Sequence, residues 1–178
     1  MRLPATQRWI GEKAELFLLE PIHASEAYVG WLNDPLVNRF LESRFGAATL
    51  ESTKEFIAQQ LASPTALFLG IRSRTHGRHI GNIKLAPIDR RHGVAEIGIL
   101  VGDRATWGQG LATEAIALLA EIARHELKLR KLTAGCYASN VGSARAFEKA
   151  GFVIEGSRRA HFLLDGQPED LTLLARFL

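Results

Sequence analysis

Apolar residues follow two rhythms along this chain, one of helices and one of strands. AELFLLEPI (14–22) reads as a first strand. ASEAYVGWLNDP (24–35) has helical spacing, with Ala27, Trp31 and Leu32 on one face; Asp34-Pro35 then ends the helix or bends the chain. PLVNRFLES (35–43) and TLESTKEFIAQQLAS (49–63) predict further helices, the second opening on a capping pattern of Thr49 or Ser52 with acidic residues in the first turn. From residue 65 the period shortens. ALFLGIRS, HIGNIKLAPID and VAEIGILVG are apolar and β-branched, and the polar turns RTHGR and RRHG separate them, which predicts an antiparallel meander.

The helical period returns in LATEAIALLAEIARHEL, where Leu111, Ala115, Leu118 and Ile122 share a face. KLTAGCYAS follows as a strand, and NVGSARAFEKAG as a short helix closed by Gly151. FVIEGSRRAHFLL and LTLLARFL are two last strands joined by the turn DGQPED. The order predicts an α/β (α+β) fold with a mixed sheet of about seven strands flanked by helices. Nothing resembling a repeat or linker interrupts it, so the expectation is one domain over residues 1–178.

Composition narrows the classes. A chain of 178 residues can bury a sizeable core in one domain. The 22 Lys and Arg against 19 Asp and Glu leave a net charge of +3, weak for a nucleic-acid binder but compatible with a local basic site for a phosphorylated ligand. Cys136 is the single cysteine, so no internal disulfide can form, and no Cys/His cluster suggests a metal. There is no apolar run of membrane-spanning length and no leader pattern at MRLPATQRWI, so a cytoplasmic location and no membrane partner are expected.

Two stretches carry chemistry. In TWGQGLATEAI (106–116), Gly108 and Gly110 stand directly before a helix and after a strand. A helix N-terminus presents unsatisfied N–H groups and the positive end of the helix dipole, and glycines let an anion come close. No GK[ST] follows, so this is not a P-loop, and no third glycine completes a dinucleotide fingerprint. An ordinary strand-to-helix turn would also use such glycines. About thirty residues on lies SNVGSARAFEKAGF (139–152). Asn140 ends a strand, where its side chain can cap the next helix or donate to a ligand. Ser143 sits one turn inside and Phe147 follows on the same face, as solvated Ser and core Phe or as parts of a site.

Together, WGQGLATEA and NVGSARAFEKAGF resemble the GNAT acetyltransferase superfamily, and the likeness runs from WLNDP to the last strand. WLNDPLVNRF and WGQGLATEAI are similar to the ribosomal-protein N-terminal acetyltransferase (Rim-type) branch. IGNIKLAPIDRRHGVAEIGILVGD resembles relatives thought to act on amino sugars of surface polysaccharides. The resemblance implies a GNAT-like sheet splayed between the fourth and fifth of its seven strands, VAEIGILVG and KLTAGCYAS. It implies acetyl-CoA as co-substrate and an N-acetyltransferase acting on a primary amine, either a small molecule such as an amino sugar or a protein N-terminus. It places the coenzyme's pyrophosphate on Trp107, Gly108, Gln109, Gly110, Leu111, Ala112 and Thr113, and its pantetheine arm on Asn140. Ser143, Phe147 and Lys149 complete the expected coenzyme contacts, Lys149 toward the ribose phosphate. The pattern departs from the family at Ala105, where many members carry Arg or Gln. It departs again in the helix after Asn140, which has Phe147 and no tyrosine to serve as general acid. A non-catalytic acetyl-CoA-binding module is the alternative that the missing tyrosine leaves open.

Direct attack of an amine on the thioester needs a proton acceptor. Glu96 is the candidate: it lies two residues before Gly98 on one side of the strand, and the role calls for a carboxylate among apolar neighbours. A backbone N–H within Ile99, Leu100 and Val101 is the candidate stabiliser for the charge that builds on the carbonyl oxygen. Gly98 marks a place where the strand could part from its neighbour. Ser143 is the candidate proton donor to the leaving thiolate; Tyr137 stands on the preceding strand. For the acceptor, Trp31, Asn33 and Asp34 in WLNDP and Arg158 and His161 in SRRAHF are candidates, each with an ordinary structural role as the competing explanation. A homodimer through the N-terminal helices or an exposed edge strand is one assembly this pattern allows.

Overall fold

The computed structural model describes residues 6–178; residues 1–5, where the stretch inspected for a leader begins, lie outside the described residues. Among the described residues eight strands form one mixed sheet: β1 (Arg8–Ile10), β2 (Ala14–Leu18), β3 (Leu67–Ser73), β4 (His79–Asp89), β5 (Val94–Val101), β6 (Lys131–Tyr137), β7 (Val153–Leu164) and β8 (Gln167–Phe177), in the order β1-β2-β3-β4-β5-β6-β8-β7. All neighbours are antiparallel except β5 and β6. The strand beyond the seven expected is β1. Its three residues are too few to show a period, and it exists because it pairs with Glu15–Phe17.

The helices are α1 (Glu26–Asn33), α2 (Pro35–Asn38), α3 (Leu50–Ala62), α4 (Leu111–His125) and α5 (Val141–Lys149). Pro35 disfavours helical backbone at Asp34, which adopts φ −77°, ψ 115°; α1 ends there, and the Asp34 carboxylate caps α2 by accepting from the Leu36 N–H. The helix expected over 35–43 is therefore only a four-residue α2, followed by a 3-10 turn at Glu42–Phe45. The first long strand stops at Leu18, and Pro21 opens a 3-10 turn over Pro21–His23. At α3, Thr49 and Ser52 cap each other's backbone N–H reciprocally. The last hairpin turns on Asp165 and Gly166, both at positive φ (52° and 77°), so β8 starts at Gln167 rather than at Leu171.

Each face of the sheet carries its own core. On one, α4 buries Leu111, Ala115, Ile116, Leu119 and Ile122 against a layer that includes Ile83, Ile97 and Leu132. On the other, Phe17, Tyr28, Ile57, Phe68 and Leu100 lie beneath α1, α2 and α3. Strand alternation assigns the sides along β5: Ile97, Ile99 and Val101 face α4, while Glu96, Gly98 and Leu100 face the N-terminal helices. Strands β5 and β6 pair only from Val94 to Glu96 against Lys131 to Thr133. Beyond Glu96 they part, which is the predicted splay. Each strand then has an edge without a strand partner, and that gap is where the sheet can admit a ligand.

Candidate active site

A cavity of about 760 Å³ passes through the gap between β5 and β6. On the α4 face it is walled by Thr106–Gly108, Gly110, the first turn of α4 and the inner side of α5. On the other face it is walled by α2 and the residues just after it.

The loop before α4 leaves a helix N-terminus open to the cavity. Gly108 (φ 74°) and Gly110 (φ 82°) occupy the left-handed region, where a residue with a Cβ costs about 1–2 kcal/mol. A Cβ at Gly108 would meet only open space, so there is room for a ligand beside it. Gly110 is the N-cap of α4 and offers no side-chain acceptor. The N–H groups of Leu111, Ala112 and Thr113 are thus left without a side-chain cap at the positive end of a 15-residue helix, and all three residues line the cavity. This arrangement fits a pyrophosphate.

Residues distant in sequence hold that loop. The Glu114 carboxylate accepts from the backbone N–H groups of Glu12 (2.6 Å), Lys13 (2.7 Å) and Ala14 (2.6 Å). The β1–β2 turn is thereby fixed against α4, and Lys13 reaches across to donate from Nζ to the Gln109 carbonyl (3.3 Å). Lys13 lines the cavity and adds a cation beside the start of α4. On the other side of the loop, Asp103 caps its 3-10 turn at the Ala105 N–H and pairs with Arg78 at 2.6 Å. The Trp107 indole N–H donates to the Val101 carbonyl (2.9 Å), fixing the ring along the cavity wall.

At the start of α5, Asn140 uses one end of its amide within the fold. Its Oδ1 accepts from the Ser143 N–H (3.2 Å) and caps the helix. Among the described residues its Nδ2 has no hydrogen-bond partner, and Asn140 lines the cavity. Cap and ligand donor, posed as alternatives from the pattern, are compatible in one side chain. Ser143, Phe147 and Lys149 line the same wall, Phe147 buried and packed edge-on against Phe152.

The predicted site residues thus divide into two groups. Ile99, Leu100, Val101, Trp107, Gly108, Gly110, Leu111, Ala112, Thr113, Asn140, Ser143, Phe147 and Lys149 all line one cavity. Gln109 does not: its side chain turns back to the Ala105 carbonyl (2.8 Å) and stiffens the loop. Glu96 lies at the fork, the last β5 residue paired with β6, and its side chain is exposed rather than set among apolar neighbours.

The acceptor candidates lie outside the cavity wall. Trp31 packs its indole on Gly102, where no side chain would fit, and against His79 with ring centroids 5.3 Å apart. Asn33 uses both ends of its amide on Ala48, donating to the carbonyl and accepting from the N–H, each at 2.9 Å. Asp34 caps α2 and pairs with Arg104 at 3.4 Å. Arg158 and His161 are exposed on β7, the edge strand of the sheet. Their chemistry was legible, but local packing uses Trp31, Asn33 and Asp34 as scaffolding.

Phe40 and Leu41 carry no reactive group that the chain alone would mark, and only the fold fixes the direction of Tyr137. Tyr137 lies on the face of β6 opposite Leu132, Ala134 and Cys136, and lines the cavity. Its hydroxyl donates to Glu42 (2.6 Å) and its ring stacks on Phe162 (4.4 Å between centroids). Burial and the bond to the Glu42 carboxylate push this phenol above the usual tyrosine value, so it stays protonated.

A family model described as an acetyltransferase (GNAT) domain matches residues 16–153. The probable N-acetyltransferase YjcK of Bacillus subtilis (strain 168) is 37% identical over 131 residues, covering 71% of this chain and 72% of that protein. The chain belongs to the GNAT acetyltransferase family. Among solved structures, the spermidine N-acetyltransferase of Vibrio cholerae, in complex with CoA and spermine, superposes with a TM-score of 0.82 at 19% identity, over 93% of this chain and 95% of that one. RimL, a ribosomal L7/L12 α-N-protein acetyltransferase in complex with CoA, gives 0.84 at 18% identity over 97% and 98%. Both likenesses show the shared fold.

Proposed function

We propose that this protein is an N-acetyltransferase that moves an acetyl group from acetyl-CoA to a primary amine by direct attack. The observation that carries the proposal is the cavity through the parted strands, with an uncapped helix N-terminus at one end and the free Nδ2 of Asn140 beside it. Acetyl-CoA supplies the activated acyl group as a thioester.

The chain's own residues divide the remaining work. The N–H groups at the start of α4 hold the pyrophosphate, with Lys13 alongside. The unpaired edges of β5 and β6 offer backbone groups to the amides of the pantetheine arm. N–H groups of β5 past Glu96 stabilise the charge developing on the carbonyl oxygen. Glu96, exposed at the fork and, among the described residues, without an ion-pair partner, takes the proton of the attacking amine and passes it to water. Ser143, in the first turn of α5, relays a proton from water to the leaving sulfur, which departs as free CoA thiol.

Release of free CoA thiol from acetyl-CoA, followed with and without amines, tests this function. Glu96→Gln should lower kcat at least tenfold and leave acetyl-CoA affinity within twofold. A Glu96→Gln enzyme with full turnover removes Glu96 from the mechanism. The acceptor classes that frame the test are amino sugars and protein N-termini.

A further inference from the structure

We propose that the acceptor half of the cavity takes a primary amine carried on an apolar group; the inference rests on the acetyl-transfer function proposed above. The charged side chains that line the cavity are Lys13, Glu114, Arg145 and Lys149. Lys13 and Glu114 meet at the glycine loop, and Arg145 and Lys149 stand on α5. All four belong to the coenzyme end.

The opposite end has a different character. Its wall is Leu36, Val37, Phe40 and Leu41, facing Leu100 and Tyr137 across the gap. Phe40 lies against the Tyr137 ring with centroids 5.6 Å apart. The polar groups nearby are already engaged. The Tyr137 hydroxyl is committed to Glu42. Arg44 donates to the carbonyls of Leu41 (2.8 Å) and Leu163 (2.9 Å) and lies 3.3 Å from Glu42. Asn38 donates to the Leu32 carbonyl (2.8 Å).

Among the described residues, no acidic side chain lines this half of the cavity. Glu96, the proposed base, stands at the fork and outside this wall, and Glu42, bonded to the Tyr137 hydroxyl, already pairs with Arg44, so a second cationic centre would enter an apolar wall without a free counter-charge. A polyhydroxylated sugar would likewise lose its water without gaining partners. An alkyl or aryl group loses nothing there and gains burial. Two sources share this chemistry: a small alkyl- or arylalkylamine, and a peptide whose first side chain is apolar.

The experiment compares kcat/KM at saturating acetyl-CoA, per fraction of unprotonated amine. The acceptors are straight-chain primary amines from propyl to heptyl, 2-phenylethylamine, short peptides beginning with Leu, Phe or Ser, spermidine and glucosamine. A gain of about twofold to fourfold for each added methylene is expected until the wall is filled. Spermidine and glucosamine should fall at least tenfold below hexylamine, and Leu-first or Phe-first peptides should exceed Ser-first. The peptide arm identifies which source the site serves.

Leu36 is 59% exposed on α2, so Leu36→Asp should fold normally. It should lower hexylamine turnover and raise spermidine turnover, with KM for acetyl-CoA unchanged. A flat alkyl series, or preference for spermidine or glucosamine, overturns the inference and leaves acetyl transfer standing. Acetyl-CoA binding without thiol release for any acceptor overturns the transfer function and this inference with it.

Discussion

Glu114→Gln preserves the shape of a side chain that ties two distant segments together, and removes one charge and one acceptor. In the wild type, Oε2 accepts from the Lys13 and Ala14 N–H groups and Oε1 from that of Glu12. A glutamine can keep its oxygen on the first two. Its amide nitrogen then faces the Glu12 N–H, donor against donor. Hydrogen bonds to a charged group contribute about 1.5–3 kcal/mol and neutral ones about 1 kcal/mol. One bond is lost and two weaken; because the turn is exposed, the net cost is set at about 2 kcal/mol. For a domain of this size that corresponds to a melting temperature about 4–8 °C lower. The variant should also raise KM for acetyl-CoA by about twofold to fivefold, as expected when one partly exposed cation, here Lys13, loses its place. Thermal unfolding followed by circular dichroism and steady-state kinetics read the two effects, with Lys13→Ala as the control that shifts KM and not Tm. A fall in Tm below about 1 °C would refute the clamp. A full fall in Tm with unchanged KM would refute its connection to the coenzyme.

Other consequences follow from single residues. His79 is enclosed by Phe17, Tyr28 and Trp31, and burial lowers its pKa to about 4 from about 6.5. The fold holds it neutral, so its contribution is complete above pH 6.5 and is lost as pH falls toward 4, about 3 kcal/mol in all; urea unfolding at stepped pH should show this slope, and His79→Gln should remove it. Gly110→Ala forces a side chain into φ 82° and should cost about 1 kcal/mol in urea unfolding, with a raised KM for acetyl-CoA. Asn140→Asp keeps the helix cap and replaces the free Nδ2 with a charged acceptor, so calorimetry should find weaker CoA binding at nearly constant Tm.

Local chemistry was legible in the chain. Glycines at positive φ before α4, the Asn140 cap and the switch from helical to strand period all act within a few residues, where pattern and propensity decide. The splay was expected from Gly98 and from the resemblance, and the two strands do part just past Glu96. What escaped depends on long-range pairing. Strand β1 exists only against β2, and Lys13 reaches the anion loop only because Glu114 holds its turn. Phe40 meets Tyr137, and Leu41 joins them in the cavity wall, through tertiary packing that no period records. Trp31 and Asn33 are held by Gly102 and Ala48, contacts made by tertiary packing that the local pattern does not record.

The most direct measurement is acetyl-CoA-dependent acetylation of a primary amine by the purified protein, read as thiol release and confirmed by mass spectrometry of the amine product. The account predicts turnover with an N-acetylated product, at least tenfold slower in Glu96→Gln with acetyl-CoA binding retained. Tight acetyl-CoA binding with no acetylated amine across alkylamines, peptides, polyamines and amino sugars would contradict it, and would mark the chain as a coenzyme-binding module.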